Sequence, residues 1–315
     1  MQSPCISYMT MPKPFNYKYW AIINIGPKPF NYKYWVVGRV NSIKAENKKH
    51  MREYYRILKT LVFFAILLPP TIIFKKLKFP GYKAWPHLVH RAICFSLNIK
   101  VTKIGEPLEG PPTLFVCNHV SWIDIIVLGH IIKGCFIAKK EMIDWPILGY
   151  LSSLQRTIFI DRERRGDVIE QRKEMQDRMH NGDNLILFPE GTTSDGGRVL
   201  PFKSSLFGVT ETAMHLQPDE HGQLQELMVQ PVTVVYKKIN NMPTIRANRS
   251  NVAWYGDLEM GPHLKGVLNL LKVEVEVHFH EPVSRNLFKT RKELSAYCQR
   301  TIENRLLSSL RGKFN

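Results

Sequence analysis

The chain has 315 residues, 44% hydrophobic and 23% charged, with a formal net charge of +17. That composition is ordinary for a folded protein and argues against a disordered chain. Its cysteines, Cys5, Cys94, Cys117, Cys135 and Cys298, form no CxxC pair and no Cys/His spacing that suggests zinc. An odd count argues against a disulfide framework and fits a reducing, cytosolic environment.

The charge is unevenly placed. Residues 1–83 hold 15 Lys and Arg against only Glu46 and Glu53, whereas the rest holds 29 basic and 25 acidic residues. No secretory signal is read at the start, because no apolar core there precedes a small-residue cleavage site. The nonapeptide PKPFNYKYW occurs twice, at Pro12–Trp20 and Pro27–Trp35. Its Pro, Asn and Tyr content predicts extended or disordered structure rather than a helix pair. Tyr, Trp and Lys together suit a membrane interface, and aromatics interleaved with Lys can also stack bases; a dispensable extension is a third reading.

From Arg39 to Lys59 the chain is basic and helix-compatible. Leu61–Phe74 is then apolar apart from Thr71, with Pro69-Pro70 inside it and Lys75, Lys76, Lys78 and Lys83 behind it. A helix over that apolar run extends roughly 21 Å, short of the roughly 30 Å hydrocarbon core, and the paired prolines are expected to break it. Basic residues on both sides place both ends on the cytoplasmic face of the membrane. The expectation is a re-entrant or interfacial anchor attracted to anionic lipid; a buried core helix is the alternative.

Beyond Lys83, strand and helix patterns alternate. Helices are predicted over Pro86–Leu97, Trp122–Ile132, Asp167–His180 (stopped by Asn181-Gly182) and Lys203–Met214. Strands are predicted over Ile99–Ile104, Thr113–Cys117, Thr157–Ile160, Leu185–Phe188 and Met228–Tyr236. Val273–His280 alternates apolar and polar residues and should be half-buried or at a sheet edge. Leu294, Tyr297, Cys298, Ile302 and Leu306 set an apolar stripe on a closing helix. The fold class is α/β, with a mostly parallel central sheet flanked by helices and an N-terminal membrane-docking helical segment. Three parts follow: a basic aromatic extension (1–38), a basic apolar anchor (39–83) and an α/β domain (84–315).

In such sheets, ligands collect at the carboxyl ends of the strands. Three polar clusters lie there. His119 stands five residues before Asp124; a neutral imidazole can take a proton from an alcohol when a carboxylate fixes its other nitrogen. Ser121-x-x-Asp124 also matches a helix capping box, so Asp124 has a second, structural reading. Arg162, just past Phe159-Ile160-Asp161, can grip a phosphate, or it belongs to a solvated charge run. In Glu190-Gly191-Thr192, glycine lets backbone amides approach an anion, Thr192 adds a hydroxyl and Glu190 can position a substrate hydroxyl. Lys203 can add charge nearby. A Gly turn with capping hydroxyls is the plainer reading of this loop.

These blocks resemble the glycerolipid acyltransferase family over roughly Pro86 to Tyr236. Asn118-His119 through Asp124 looks like the NHxxxxD block, and Lys139-Lys140-Glu141 through Phe159-Ile160-Asp161-Arg162 like the acceptor-binding block. Phe188-Pro189-Glu190-Gly191-Thr192 looks like the FPEGT block and Val229-Gln230-Pro231-Val232 like the fourth. The resemblance implies that His119, oriented by Asp124, deprotonates an acceptor hydroxyl, which attacks the thioester of acyl-CoA or acyl carrier protein. It implies no cofactor and no metal. Arg162, Lys139 and Lys203 would hold an acceptor phosphate, and Glu190, Gly191 and Thr192 the glycerol. The implied reaction converts lysophosphatidate to phosphatidate at the cytoplasmic membrane, with membrane lipids as partners and no nucleic acid. Thr193 follows Thr192 where many members have Arg, which leaves room for another lysolipid such as lyso-ornithine lipid or lysophosphatidylcholine. A non-catalytic basic protein that binds membrane or nucleic acid is the reading from outside the enzymes.

Overall fold

The computed structural model describes residues 32–77, 79, 82–144, 146–160, 167–212, 215–218 and 224–312. Two compact units divide the chain, Met1–Asn47 and Lys48–Asn315; the second holds the sheet, the site and α1 from Lys48 onward. The helices are α1 (Tyr32–Lys76), α2 (Trp85–Leu97), α3 (Ile123–Ile131), α4 (Pro146–Leu154), α5 (Asp167–His180), α6 (Val209–Thr212), α7 (Met260–Asn269) and α8 (Arg291–Leu310). The strands are β1 (Ile99–Ile104), β2 (Thr113–Cys117), β3 (Gly134–Lys139), β4 (Ile158–Ile160), β5 (Asn184–Leu187), β6 (His215–Pro218), β7 (Leu224–Glu226), β8 (Met228–Ile239), β9 (Met242–Pro243), β10 (Val273–Phe279) and β11 (Val283–Ser284).

The main sheet runs β1-β10-β8-β2-β5-β3-β4, with β9 and β11 added to β8, while β6 and β7 pair separately. β2, β5, β3 and β4 are mutually parallel, and β8 is parallel to β2 but antiparallel to β10. Side chains alternate across the pleat, so β2 feeds two cores. Phe115 and Cys117 join Ile123, Val127 and Cys94 on the α2/α3 side. Leu114 and Val116 join Met179, Leu294 and Cys298 on the α5/α8 side. A strand buried on both faces reads as an unbroken apolar run, and all five residues of β2 are buried.

Three expectations are corrected. Helix α1 continues through Pro69 and Pro70. Each proline removes one amide donor, but the side chains restore bonding next to the gap: Thr71 Oγ1 and Trp85 Nε1 both donate to the Leu67 carbonyl, at 2.6 and 2.9 Å. The last four residues of the second PKPFNYKYW copy, Tyr32 to Trp35, are therefore helical rather than extended; the remainder of both copies lies outside the described residues. Lys203–Met214 is not one helix but a 3₁₀ turn, Ser204–Gly208, followed by α6, because Gly208 is a poor helix former at its middle; Met214 lies outside the described residues. β10 meets the first of its two expected alternatives, with buried and half-buried residues alternating from Val273 to Val277, and it sits inside the sheet between β1 and β8 rather than at its edge. Its polar face is matched there by Lys237, Lys238 and Lys272 around Glu274 and Glu276.

The stretch Glu46–Lys76 of α1 is long and apolar enough to cross a membrane. Its inner face is fastened to the body. Arg56 is 5% exposed and donates to the carbonyls of Val267, Leu268 and Leu271, at the end of α7, where helix carbonyls lack partners. Arg52 holds Asn269 O at 2.6 Å, and Lys75 holds Ser153 O at 2.7 Å. The outer face exposes Tyr54, Leu58, Leu61, Val62, Ile66 and Ile73, a stripe at helical spacing.

Candidate active site

The carboxyl end of β2 is closed by Asn118, whose side chain imitates a strand pairing. Its Nδ2 donates to Val234 O at 3.1 Å and its Oδ1 accepts from Val234 N at 2.8 Å. This holds the next residue, His119, at the mouth of the sheet. The His119 ring stacks on Phe188 at 4.0 Å between centroids and is 16% exposed.

His119 Nδ1 lies 2.9 Å from Asp124 Oδ2. A carboxylate only accepts, so Nδ1 carries the proton and Nε2 is the nitrogen with a free lone pair. Asp124 is fully buried and saturated. Its Oδ2 also accepts from the amides of Val120 (2.6 Å) and Ser121 (2.9 Å), and its Oδ1 accepts from the Tyr236 hydroxyl at 2.6 Å. The catalytic and capping readings of Asp124 therefore coexist in one carboxylate. Only half of the capping box is present, since Ser121 Oγ makes no hydrogen bond among the described residues.

Glu190, the carboxylate expected to meet a substrate hydroxyl, is 2% exposed and joins two loops. Its Oε1 accepts from His119 N and its Oε2 from Leu200 N, both at 2.7 Å. A second clamp runs alongside: Ser194 N and Oγ donate to His119 O. Gly191 takes a positive φ of 69°, which glycine adopts without strain, and its amide donates to Phe188 O. Thr192 beside it is exposed.

His119, Asp124, Glu190, Gly191 and Thr192 thus form one constellation. Lys203 stays at its margin, exposed, with its amide donating to Pro189 O. Lys139 is exposed at the end of β3, two strands from β2, hence about 10 Å away across the sheet. Arg162 lies outside the described residues. Sequence reading missed Tyr236 and Asn118 as supports; Tyr236 is 112 residues from Asp124, and only its place at the end of an apolar strand marked it. It also missed the ion pair of Arg249 with Asp195, 3.6 Å apart, on the loop after Ser194.

Burial pushes the Glu190 carboxyl up from 4.5 to about 8, and the Asp124 charge adds to this, against the pull of the two amides. The folded state then holds the proton more tightly than the unfolded chain. This contribution to stability is full below 4.5 and lost as pH rises through about 8. Between pH 4.5 and about 8 the melting temperature should fall more steeply with rising pH for the native chain than for Glu190→Gln, and above about 8 the two slopes should converge. Parallel slopes in a fluorimetric melt would remove Glu190 as the cause.

A partly exposed imidazole 2.9 Å from a buried carboxylate, at the mouth of a mostly parallel sheet, has the geometry needed to take a proton from a hydroxyl. Residues 98–235 match the family model described as Acyltransferase. The lyso-ornithine lipid O-acyltransferase of Brucella abortus (strain 2308) is 42% identical over 246 residues, 78% of this chain and 89% of that one. The 1-acyl-sn-glycerol-3-phosphate acyltransferase of Neisseria meningitidis serogroup B is 36% identical over 119 residues, 37% of this chain and 46% of that one. The crystal structure of the acyltransferase PlsC from Thermotoga maritima superposes with a TM-score of 0.58 at 18% identity, covering 86% of this chain and 99% of that one. The chain belongs to the lysophospholipid acyltransferase family.

Proposed function

We propose that the protein transfers a fatty acyl group from a thioester donor, acyl-CoA or acyl carrier protein, to the free hydroxyl of lyso-ornithine lipid. The observation that carries the chemistry is the His119–Asp124 pair, 2.9 Å apart, with Nε2 left for the substrate. Nε2 takes the acceptor's proton as its oxygen attacks the thioester carbonyl. The tetrahedral intermediate collapses, the thiolate leaves, and the imidazolium returns its proton to sulfur. Asp124 stabilises the imidazolium, and Tyr236 with the two amides stops Asp124 from turning away. Glu190 acts as a positioning residue that ties the His119 loop to the acceptor loop, while Gly191 and Thr192 meet the acceptor.

Three observations support this acceptor. The Brucella relative aligns over most of both chains. Thr193 stands where a phosphate-binding arginine is common in the family. The Arg249–Asp195 pair beside the His119 loop offers opposite charges to the carboxylate and ammonium of ornithine. A second reading, lysophosphatidate, rests on Lys139 and Lys203, both exposed, together with Arg162. With purified protein and one long-chain acyl-CoA, kcat/KM for lyso-ornithine lipid should exceed that for lysophosphatidate and lysophosphatidylcholine on the order of 10²-fold. Preference for lysophosphatidate by product mass would reverse the two readings.

The enzyme works at a membrane through α1. Arg52 and Lys75 bond the same body from positions about 35 Å apart along the helix. A helix strapped along its length buries one face on protein and offers the other to lipid, the geometry of an interfacial anchor. Its cytoplasmic placement follows from the lysines on both sides of the apolar run.

A further inference from the structure

At the amino ends of β3 and β5, the opposite edge of the sheet from His119, the structure holds a cavity of about 280 Å³. The rings of Phe188 and Phe136 separate it from the catalytic imidazole. Its walls carry Lys83, His87, His90, Lys133, Arg156 and Asp183. Asp183 accepts from both Lys83 (2.9 Å) and the Arg156 guanidinium, Nη1 at 2.9 Å and Nη2 beside it. One carboxylate against three cations leaves the walls positive, which rules against a metal ion and in favour of an anion.

Two further features mark this as a built site. Arg156 occupies a left-handed conformation, φ 62°, at the end of α4, where its amide donates to Ser153 O and that of Thr157 to Ser152 O. Glycine suits this position, and a bulky side chain there is strained; the chain keeps an arginine whose guanidinium lines the cavity. His90, 3% exposed, also lines it, and its Nδ1 has no partner among the described residues. Burial lowers its pKa to about 4 against a hydrogen bond to Gln155 that raises it, so at neutral pH it is uncharged and adds no charge to the walls.

The surroundings point to a lipid. Ile72 and Ile73 in the last turns of α1, and Leu77 and Phe79 just past it, are exposed, and Lys83 a few residues on lines the cavity. We propose that this cavity binds the phosphate headgroup of an anionic membrane glycerophospholipid, distinct from the acceptor, with its tails along the end of α1. Such a ligand would hold the sheet edge at the membrane and make binding respond to anionic lipid. The proposal rests on α1 facing lipid, which is tested separately in its own arm.

The test uses the full chain and hydrogen–deuterium exchange. Soluble short-chain phosphatidylglycerol should slow exchange at residues 129–134 and 155–158, and short-chain phosphatidylcholine should not. Lys133→Glu should raise the half-saturating phosphatidylglycerol concentration about tenfold, and His87→Trp, which adds bulk to the cavity wall without charge, should abolish the protection. Equal protection by inorganic phosphate alone would overturn the lipid assignment, and no protection by either would overturn the site. Co-flotation with pure phosphatidylcholine vesicles reports on α1 independently. Flotation without phosphatidylglycerol-dependent protection sinks the cavity proposal alone, whereas loss of flotation removes the anchor reading.

Discussion

Replacing His119 with alanine is expected to lower kcat for acyl transfer by roughly 10²–10⁴-fold, the usual contribution of a positioned general base. The fold should survive, because the ring is a partly exposed group that stacks on Phe188. Its backbone clamps, His119 N to Glu190 and His119 O to Ser194, do not depend on the side chain. Asp124 would lose one of its four donors and keep the two amides and Tyr236. Single-turnover transfer should therefore collapse while flotation with vesicles and the melting temperature stay near the native values. A rate within about threefold of native would show that His119 is not the base.

Asp124→Asn tests the other half of the pair and separates its two roles. Oδ2 faces three N–H donors and Oδ1 faces the Tyr236 hydroxyl. The amide oxygen must take the place of Oδ2, since an NH₂ there would meet three donors. The NH₂ then donates to the Tyr236 oxygen, and the Tyr236 O–H proton loses its acceptor. One buried O–H left without an acceptor costs about 1–3 kcal/mol, a drop of several degrees in a domain of this size. The tautomer of His119 survives, but the imidazolium loses its counter-charge, so kcat should fall about 10²–10³-fold with KM little changed. A capping role alone predicts the fall in melting temperature without the fall in kcat, so one variant measured both ways decides between them.

Much of the fold was legible because its signals are local. β1, β2 and α5 occupy Ile99–Ile104, Thr113–Cys117 and Asp167–His180 as their residue patterns predict, since periodicity and stop signals act within one window. β3 escaped notice because GCFIAK is short and lacks turn signals, and α7 because Gly261, Pro262 and Gly266 disguise a helix. The prolines of α1 misled for a related reason. Propensity counts the lost amides but not the Trp85 side chain that reaches the Leu67 carbonyl from another element.

The sequence by itself determined the class of chemistry. His119 and Asp124 are five residues apart, within reach through one helical turn, and the Glu190-Gly191-Thr192 loop ends a strand that any parallel sheet would aim at the same edge. Tertiary structure decided what makes that chemistry work. Tyr236 reaches Asp124 across 112 positions and Glu190 reaches His119 across 71. Arg56 pins α1 to the end of α7 across more than 200. Hydrogen bonds of such long separation exist only once strands pair, and no spacing along the chain records them. The same holds for the cavity at the amino ends of β3 and β5, whose three cations come from the edges of α2, α3 and α4 and outnumber the one carboxylate before β5 only in the folded chain.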